Sequence, residues 1–357
     1  MTQKTFKTSI TEMLSLKYPV MLAGMNAVAG AELAAAVSNN GGLGVIGGVG
    51  YTPKILQQVV DELKAKLNPG APFGIDLLLP QVGGNARKTN KDYTDGKLPE
   101  LIDIVLASKC NLFVSAVGVP PRWVVDKLHA AGIPVMNMIG STRHVAKACE
   151  AGVDILCAQG SEGGGHTGEV GTSVLIPQVV ALARQYMSPL TKQPVQVVAA
   201  GGIYDGHGLA MALALGAEAV WVGTRFICAQ EASAGKRHQQ AVIAATSEDT
   251  IRTTMYTGRP MRILKTKYAA EMEEFKRDKL RQAQVSGEVA VKTDLEARFA
   301  AGEFGDGLPP LDLRSPLLMG QAAGAVQKIQ TAKEIMDNMV QEAVAIVEAS
   351  QRKISKL

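Results

Sequence analysis

The sequence predicts an α/β fold, a (β/α)8 TIM barrel with an additional helical subdomain after strand 8. Three observations lead there. Eight short apolar runs, many of them β-branched, recur through the first two thirds of the 357 residues. A helix-like pattern follows each run but the last, as expected of parallel strands covered on both faces. No G-x-G-x-x-G opens the first strand–helix turn, which places a doubly wound open sheet second.

The strand-like runs are 19–23, 43–46, 73–77, 112–116, 134–139, 153–158, 195–200 and 219–222. Helical patterns fill 31–38, 53–67, 98–107, 121–131, 142–151, 175–186 and 206–215. Thr52 is a natural N-cap with Pro53 at the first helical position. Gly132, Gly152 and Gly216 stand where a left-handed residue ends a helix. Residues 80–97 read as a long polar loop after the third strand, of a length that often carries function.

After Phe226 the alternation stops. Residues 229–300 are polar and helical in pattern, with a break at Thr257-Gly258-Arg259-Pro260. The predicted organisation is therefore a barrel from 1–228 and 311–357, with 229–310 a helical subdomain over its mouth. A long amphipathic helix is expected over 326–349, with Ile329, Ala332, Ile335, Met336, Met339, Val340, Ala343 and Val347 on its packed stripe.

Composition excludes several classes. Hydrophobic residues are 46% and charged residues 20%, ordinary for a globular chain. No apolar run reaches the roughly 18 residues of a membrane span. A net charge of +4, with no basic patch interleaved with aromatics, gives no sign of a nucleic-acid partner. The cysteines Cys110, Cys149, Cys157 and Cys228 lack metal-like spacing and read as buried reduced thiols. The acidic residues offer no metal constellation. Ser355-Lys356-Leu357 is a peroxisomal address recognised by an import receptor, so the expected location is the peroxisomal matrix, otherwise the cytoplasm.

The chemistry concentrates between Gln159 and Gly171, where six of thirteen residues are glycine and one is His166. Glycine allows close approach of backbone to a ligand, and a histidine held there is a base near neutral pH. Strand seven ends in Gly201-Gly202, and strand eight in Trp221-Val222-Gly223-Thr224. Backbone N–H groups at these two ends form the usual phosphate site of such barrels, with the Thr224 hydroxyl also serving as a helix-cap oxygen. Ala23-Gly24-Met25 after strand one, Asp76 at the end of strand three and Gln159, with Gly164 and Gly165, would line the sugar and ring of the ligand. A flavin mononucleotide (FMN) fits these parts. Glu162 and Glu169 read as loop braces, and His129, His144, His207 and His238 as packing, capping or solvated residues.

The segments Pro19-Val-Met-Leu-Ala-Gly-Met25, Pro72-Phe-Gly-Ile-Asp76, Gln159-Gly-Ser-Glu-Gly-Gly-Gly-His166, Ala200-Gly-Gly-Ile203, Gly223-Thr224 and Met319-Gly-Gln-Ala-Ala-Gly324 resemble the nitronate monooxygenase (2-nitropropane dioxygenase) family, which includes flavin-dependent enoyl-ACP reductases. The resemblance implies FMN held without a covalent bond at the top of the barrel. By it, Gln159, Gly164, Gly201, Gly202, Gly223 and Thr224 contact FMN and His166 is the catalytic histidine. Two positions depart from the family pattern. Asp76 stands where asparagine is usual, and a carboxylate there would disfavour an anionic reduced flavin. Gly163 stands where alanine is usual, a change expected to matter little. Two activities remain open: oxidation of alkyl nitronates with O2, and NAD(P)H-linked reduction or dehydrogenation of an acyl or enoyl thioester. An FMN-binding barrel without turnover is a third.

Overall fold

A computed structural model describes residues 4–305 and 307–354; the terminal tripeptide Ser355-Lys356-Leu357 lies outside the described residues. Eight parallel strands form one sheet: β1 (Val20–Leu22), β2 (Gly44–Gly48), β3 (Phe73–Leu78), β4 (Leu112–Ala116), β5 (Val135–Ile139), β6 (Ile155–Gln159), β8 (Gln196–Ala200) and β9 (Ala219–Val222). β7 (Gly165–His166) belongs elsewhere. Neighbours follow chain order round the sheet, with β9 beside β1. The seam between β1 and β2 closes through Leu22 N–H to the Leu43 carbonyl (2.9 Å) and Leu43 N–H to the Val20 carbonyl (3.0 Å).

Side chains alternate between two cores, the period-2 consequence of a pleated strand. Val45, Leu112, Val114, Ile155, Cys157, Val198, Ala219 and Trp221 fill the barrel. Ile46, Ile75, Phe113, Val135, Leu156 and Val220 face the helices. The short N-terminal helix, Ser9–Met13, sends Ile10 into the inner core and plugs the barrel floor. Gly132, Gly152 and Gly216 end helices with φ of +73°, +92° and +91°. All four cysteines are buried and free.

Two elements differ from expectation. The last helix is Ala332–Gln351, not 326–349. Thr331 and Glu334 form a reciprocal capping box that fixes its start. Ile335, Met336, Met339, Val340 and Ala343 pack on the barrel, while Ile329 and Val347 stay exposed. The segment 229–310 also carries strands as well as helices. β10 (Thr250–Thr253) and β11 (Met261–Leu264) form an antiparallel pair, and helices Lys267–Phe275, Arg277–Ser286 and Ala290–Ala300 pack with it. Met255, Met261, Ile263, Tyr268, Met272, Leu280 and Val291 give this segment its own apolar core.

One fully buried carboxyl group joins the lower barrel. Asp154 receives the Val135 N–H (2.7 Å), the Ser188 hydroxyl (2.5 Å) and His129 Nε2 (2.8 Å). His129 is thus a packing residue whose polar edge is satisfied. Asp154→Ala would leave these donors without their acceptor and should cost about 3–5 kcal/mol, read as a lowered midpoint in urea unfolding.

Candidate active site

The glycine loop reaches its geometry through backbone pairing. β7 is the third strand of a small antiparallel sheet, β10-β11-β7, in which His166 pairs with Met261 and Gly165 with Arg262. Gly165, at φ +71°, allows the turn into this strand. The Gln159 side-chain amide donates to the His166 carbonyl at 2.9 Å. Arg262 Nε donates to the Ser161 carbonyl at 2.9 Å, and the Thr167 hydroxyl to the Gly160 carbonyl at 2.7 Å. Glu162 takes the Thr172 N–H and hydroxyl at 2.9–3.0 Å and braces the loop against the next helix. Gly163, expected to matter little, lies against the Gln159 side chain. A Cβ there would sit 2.5 Å from Gln159 Nε2 and push that amide off the His166 carbonyl.

His166 is half-buried under a roof formed by the turn between β10 and β11. Its Nε2 lies 3.1 Å from Thr257 Oγ1. The Thr257 hydroxyl donates to the Arg259 carbonyl, and the Arg259 N–H donates back to Thr257 Oγ1, both at 3.3 Å. Arg259 clamps the roof to the barrel, with Nε on Asn90 Oδ1 and Nη1 on the Val117 carbonyl, both 3.0 Å. Arg87 Nη1 donates to the Gly258 carbonyl at 3.3 Å. Among the described residues no carboxylate pairs with Arg87 or Arg259. Burial, and secondarily the Arg259 guanidinium, lower the His166 pKa to about 4, so the imidazole is neutral at pH 7.

The strand ends expected to take a phosphate carry free donors. Gly201 and Gly202 have φ of +99° and +71°, and a Cβ on Gly201 would meet the Gly160 carbonyl and Thr172 hydroxyl at 2.9 Å. The N–H groups of Gly201, Gly202, Gly223 and Thr224 donate to no other described group. Gly201 and Gly202 line a cavity of about 300 Å³ with Gln321 and Ala322. Thr224 is the first residue of its short helix and Gly223 its cap, so the expected helix-cap oxygen is not used that way. Instead Thr224 Oγ1 accepts the Gly320 N–H at 2.9 Å. Gly320 also lies against Gly164, where a Cβ would be 2.7 Å from its nitrogen. The segment Met319-Gly320-Gln321 therefore bridges the glycine loop and the strand ends at Gly201 and Thr224. Its motif is visible in the sequence, but its position is not.

At the ring end, the two-residue alternation turns Asp76 into the barrel just below the mouth, in register with Val114 and Gly47. Ala23 and Trp221 also face inward. Gly24 lies on the carboxyl, so a Cβ there would be 2.4 Å from Asp76 Oδ2. Met25 borders Gly223, its sulfur 3.5 Å from where a Cβ would stand. Val222 turns its side chain to the outer core and gives its carbonyl to Ala23 N–H, which leaves it only a supporting position. Small floor residues, a row of free N–H groups and a buried carboxyl at the far end fit a flat ring bearing one phosphate.

The remaining histidines lie elsewhere. His238, expected to be solvated, bonds the Leu318 carbonyl at 2.8 Å. His207 meets Asp205 and Glu342, a surface group with ligand atoms within 4.8 Å that the spacing of the sequence conceals. Both carboxylates are engaged as caps, on the Gly208 and Gly206 N–H groups.

Comparison with known proteins places this geometry. The sequence model described as nitronate monooxygenase matches residues 7–342. A Mycobacterium tuberculosis protein provisionally named a monooxygenase, Rv1533, is 30% identical over 96% of this chain and 97% of its own. The Rhodococcus jostii (3aS,4S,5R,7aS)-5-hydroxy-7a-methyl-1-oxo-octahydro-1H-indene-4-carboxyl-CoA dehydrogenase is 34% identical over 75% of this chain and 69% of its own. The structure of FabK from Thermotoga maritima superposes with a TM-score of 0.76 at 29% identity, covering 98% of this chain and all of that one.

In histidine-labelled protein, one of the five imidazoles should titrate near pH 4 by NMR, and Arg259→Leu should move it up towards 6.5. Between pH 4 and 6.5 the unfolded chain binds this proton and the folded chain does not, so His166 should lower stability as pH falls through that window.

Proposed function

Because the chain belongs to the nitronate monooxygenase family, and is a flavin-dependent oxidoreductase, we propose that it binds FMN and oxidises alkyl nitronates with O2 to a carbonyl compound and nitrite. The observation that supports this best is a neutral imidazole beside an unpaired guanidinium, over a floor shaped for a flat ring. Such a pair holds an anion, and a nitronate is one. When bound, FMN would accept electrons from the substrate carbon and pass them on to oxygen.

The protein's own part is positional. If the Thr257 hydroxyl proton points to the Arg259 carbonyl, as the hydrogen-bond network assigns it, then His166 Nε2 carries the ring proton. Nδ1 is then the free base, able to take a proton from the carbon of a neutral nitroalkane or to hold water away from its anion. Arg259 supplies the compensating charge as that anion forms. The roof sheet screens both groups from bulk water, which strengthens each interaction.

A second reading also has specific support. The Rhodococcus relative is named for a CoA thioester substrate, and Arg87, Lys88, Lys91 and Arg259 cluster along the roof and the β3 loop, where a CoA phosphate would find cations. Here His166 would move the proton α to the thioester carbonyl, and NAD(P)H or the thioester itself would exchange hydride with the flavin.

Anaerobic stopped-flow absorbance distinguishes the two. Mixing the FMN-loaded protein with propyl-2-nitronate should bleach the flavin, while NADH and NADPH should leave it oxidised. Rapid bleaching by NAD(P)H with no response to nitronate would overturn nitronate oxidation in favour of the thioester. His166→Ala should retain FMN and lose turnover by about 10²–10⁴-fold, the usual worth of a positioned acid–base.

A further inference from the structure

Asp76 is a buried carboxyl at the barrel mouth that the reaction outlined above does not use. It is 2% exposed, and its Oδ1 has no hydrogen-bond partner. The groups that face it offer no cation. Gly47 and Val114 flank it in the sheet and Gly24 covers it. The titratable groups that interact with it are the Tyr51 phenol and the Cys157 thiol, both neutral and both held above their ordinary values by burial first and the nearness of Asp76 second. No lysine, arginine or histidine pairs with it among the described residues. An ionised carboxyl so placed would be an uncompensated buried charge, costing several kcal/mol. The group avoids this by keeping its proton: burial raises its pKa to about 8.

A protonated aspartic acid presents one donor and one acceptor on a planar head, as an asparagine amide does. In that form it is no obstacle to negative charge on a ring above it. Ionised, it opposes such charge across a medium that screens poorly.

We propose that Asp76 is a proton-loaded positioning residue beneath the flavin ring, whose ionisation couples the flavin's reduction to uptake of one further proton and sets its alkaline limit. The inference rests on the FMN reading but not on the identity of the substrate. Electron arrival on the ring raises the carboxyl's affinity for its proton, so an ionised Asp76 takes one up from solvent as the flavin is reduced. Below the carboxyl's pKa no extra proton moves.

The test is the midpoint potential of the bound flavin between pH 6 and 9.5, in wild type and Asp76→Asn. The two should agree at pH 6. By pH 9.5 reduction of the wild type should be about tenfold less favourable than that of the variant, about 30 mV for a two-electron couple. Parallel pH profiles would overturn the proposal. If neither protein binds FMN, the cofactor reading fails instead. If only the variant fails to bind or fold, infrared difference spectra of the wild type decide. A protonated-carboxyl C=O band present at pH 7 and lost by pH 9.5 supports the proposal, and absence of any such band at pH 7 overturns it.

Discussion

Everything at the mouth of this barrel depends on two residue pairings, His166 with Met261 and Gly165 with Arg262. A thirteen-residue loop with six glycines has no intrinsic reason to hold one conformation, since glycine loses more freedom on folding than any other residue. The β11 strand supplies that reason. Its backbone templates the loop, the Gln159 amide fastens the same stretch from below, and the Glu162 carboxylate ties the loop to the helix that follows. The imidazole is thus aimed by main chain rather than by side-chain packing. The strand that aims it belongs to the roof that also carries Thr257 and Arg259. The imidazole, the Thr257 hydroxyl and the Arg259 guanidinium are thus brought together by one antiparallel sheet and its turn.

The second constraint is electrostatic. The barrel interior excludes unpaired charge, and the two ionisable groups nearest the mouth respond in opposite senses. His166 loses its proton and Asp76 keeps one, and each becomes neutral. Asp154 shows the other solution, a buried carboxylate that stays satisfied because three donors surround it. The difference lies in the neighbours. A strand N–H, a loop hydroxyl and a helix-borne imidazole surround Asp154, whereas glycine and apolar residues surround Asp76. A carboxylate's charge was expected at position 76; burial without a cation favours the neutral carboxyl there instead.

The barrel was legible in the sequence because its signals are strong and local. Val/Ile/Leu runs mark the eight strands, and left-handed glycines mark helix ends. The glycine loop and the Gly201-Gly202 and Gly223-Thr224 ends stood out for the same reason. What was not legible depends on contacts between distant segments. β7 is two residues long, and β10 and β11 are four each, too short to show a period inside a polar, helix-rich stretch. Arg259 read only as part of a turn, since nothing local says that its guanidinium reaches Asn90 and Val117. The start of the last helix could have been found: Thr331-Ala-Lys-Glu334 is a capping-box signature, overlooked in favour of an apolar stripe that begins too early.

The roof is a single continuous insertion between β9 and the helix that closes the chain, with an apolar core of its own. The ends that suit a phosphate and a ring belong to other segments. The two sets of residues thus come from separate stretches of the chain that meet at the β7–β11 pairing. Residues that line only that separate core can vary, whereas Thr257, Arg259, Met261 and Arg262 are tied to the glycine loop and the barrel. Any exchange of that insertion between relatives must therefore carry the β11 register with it, or the glycine loop loses its template.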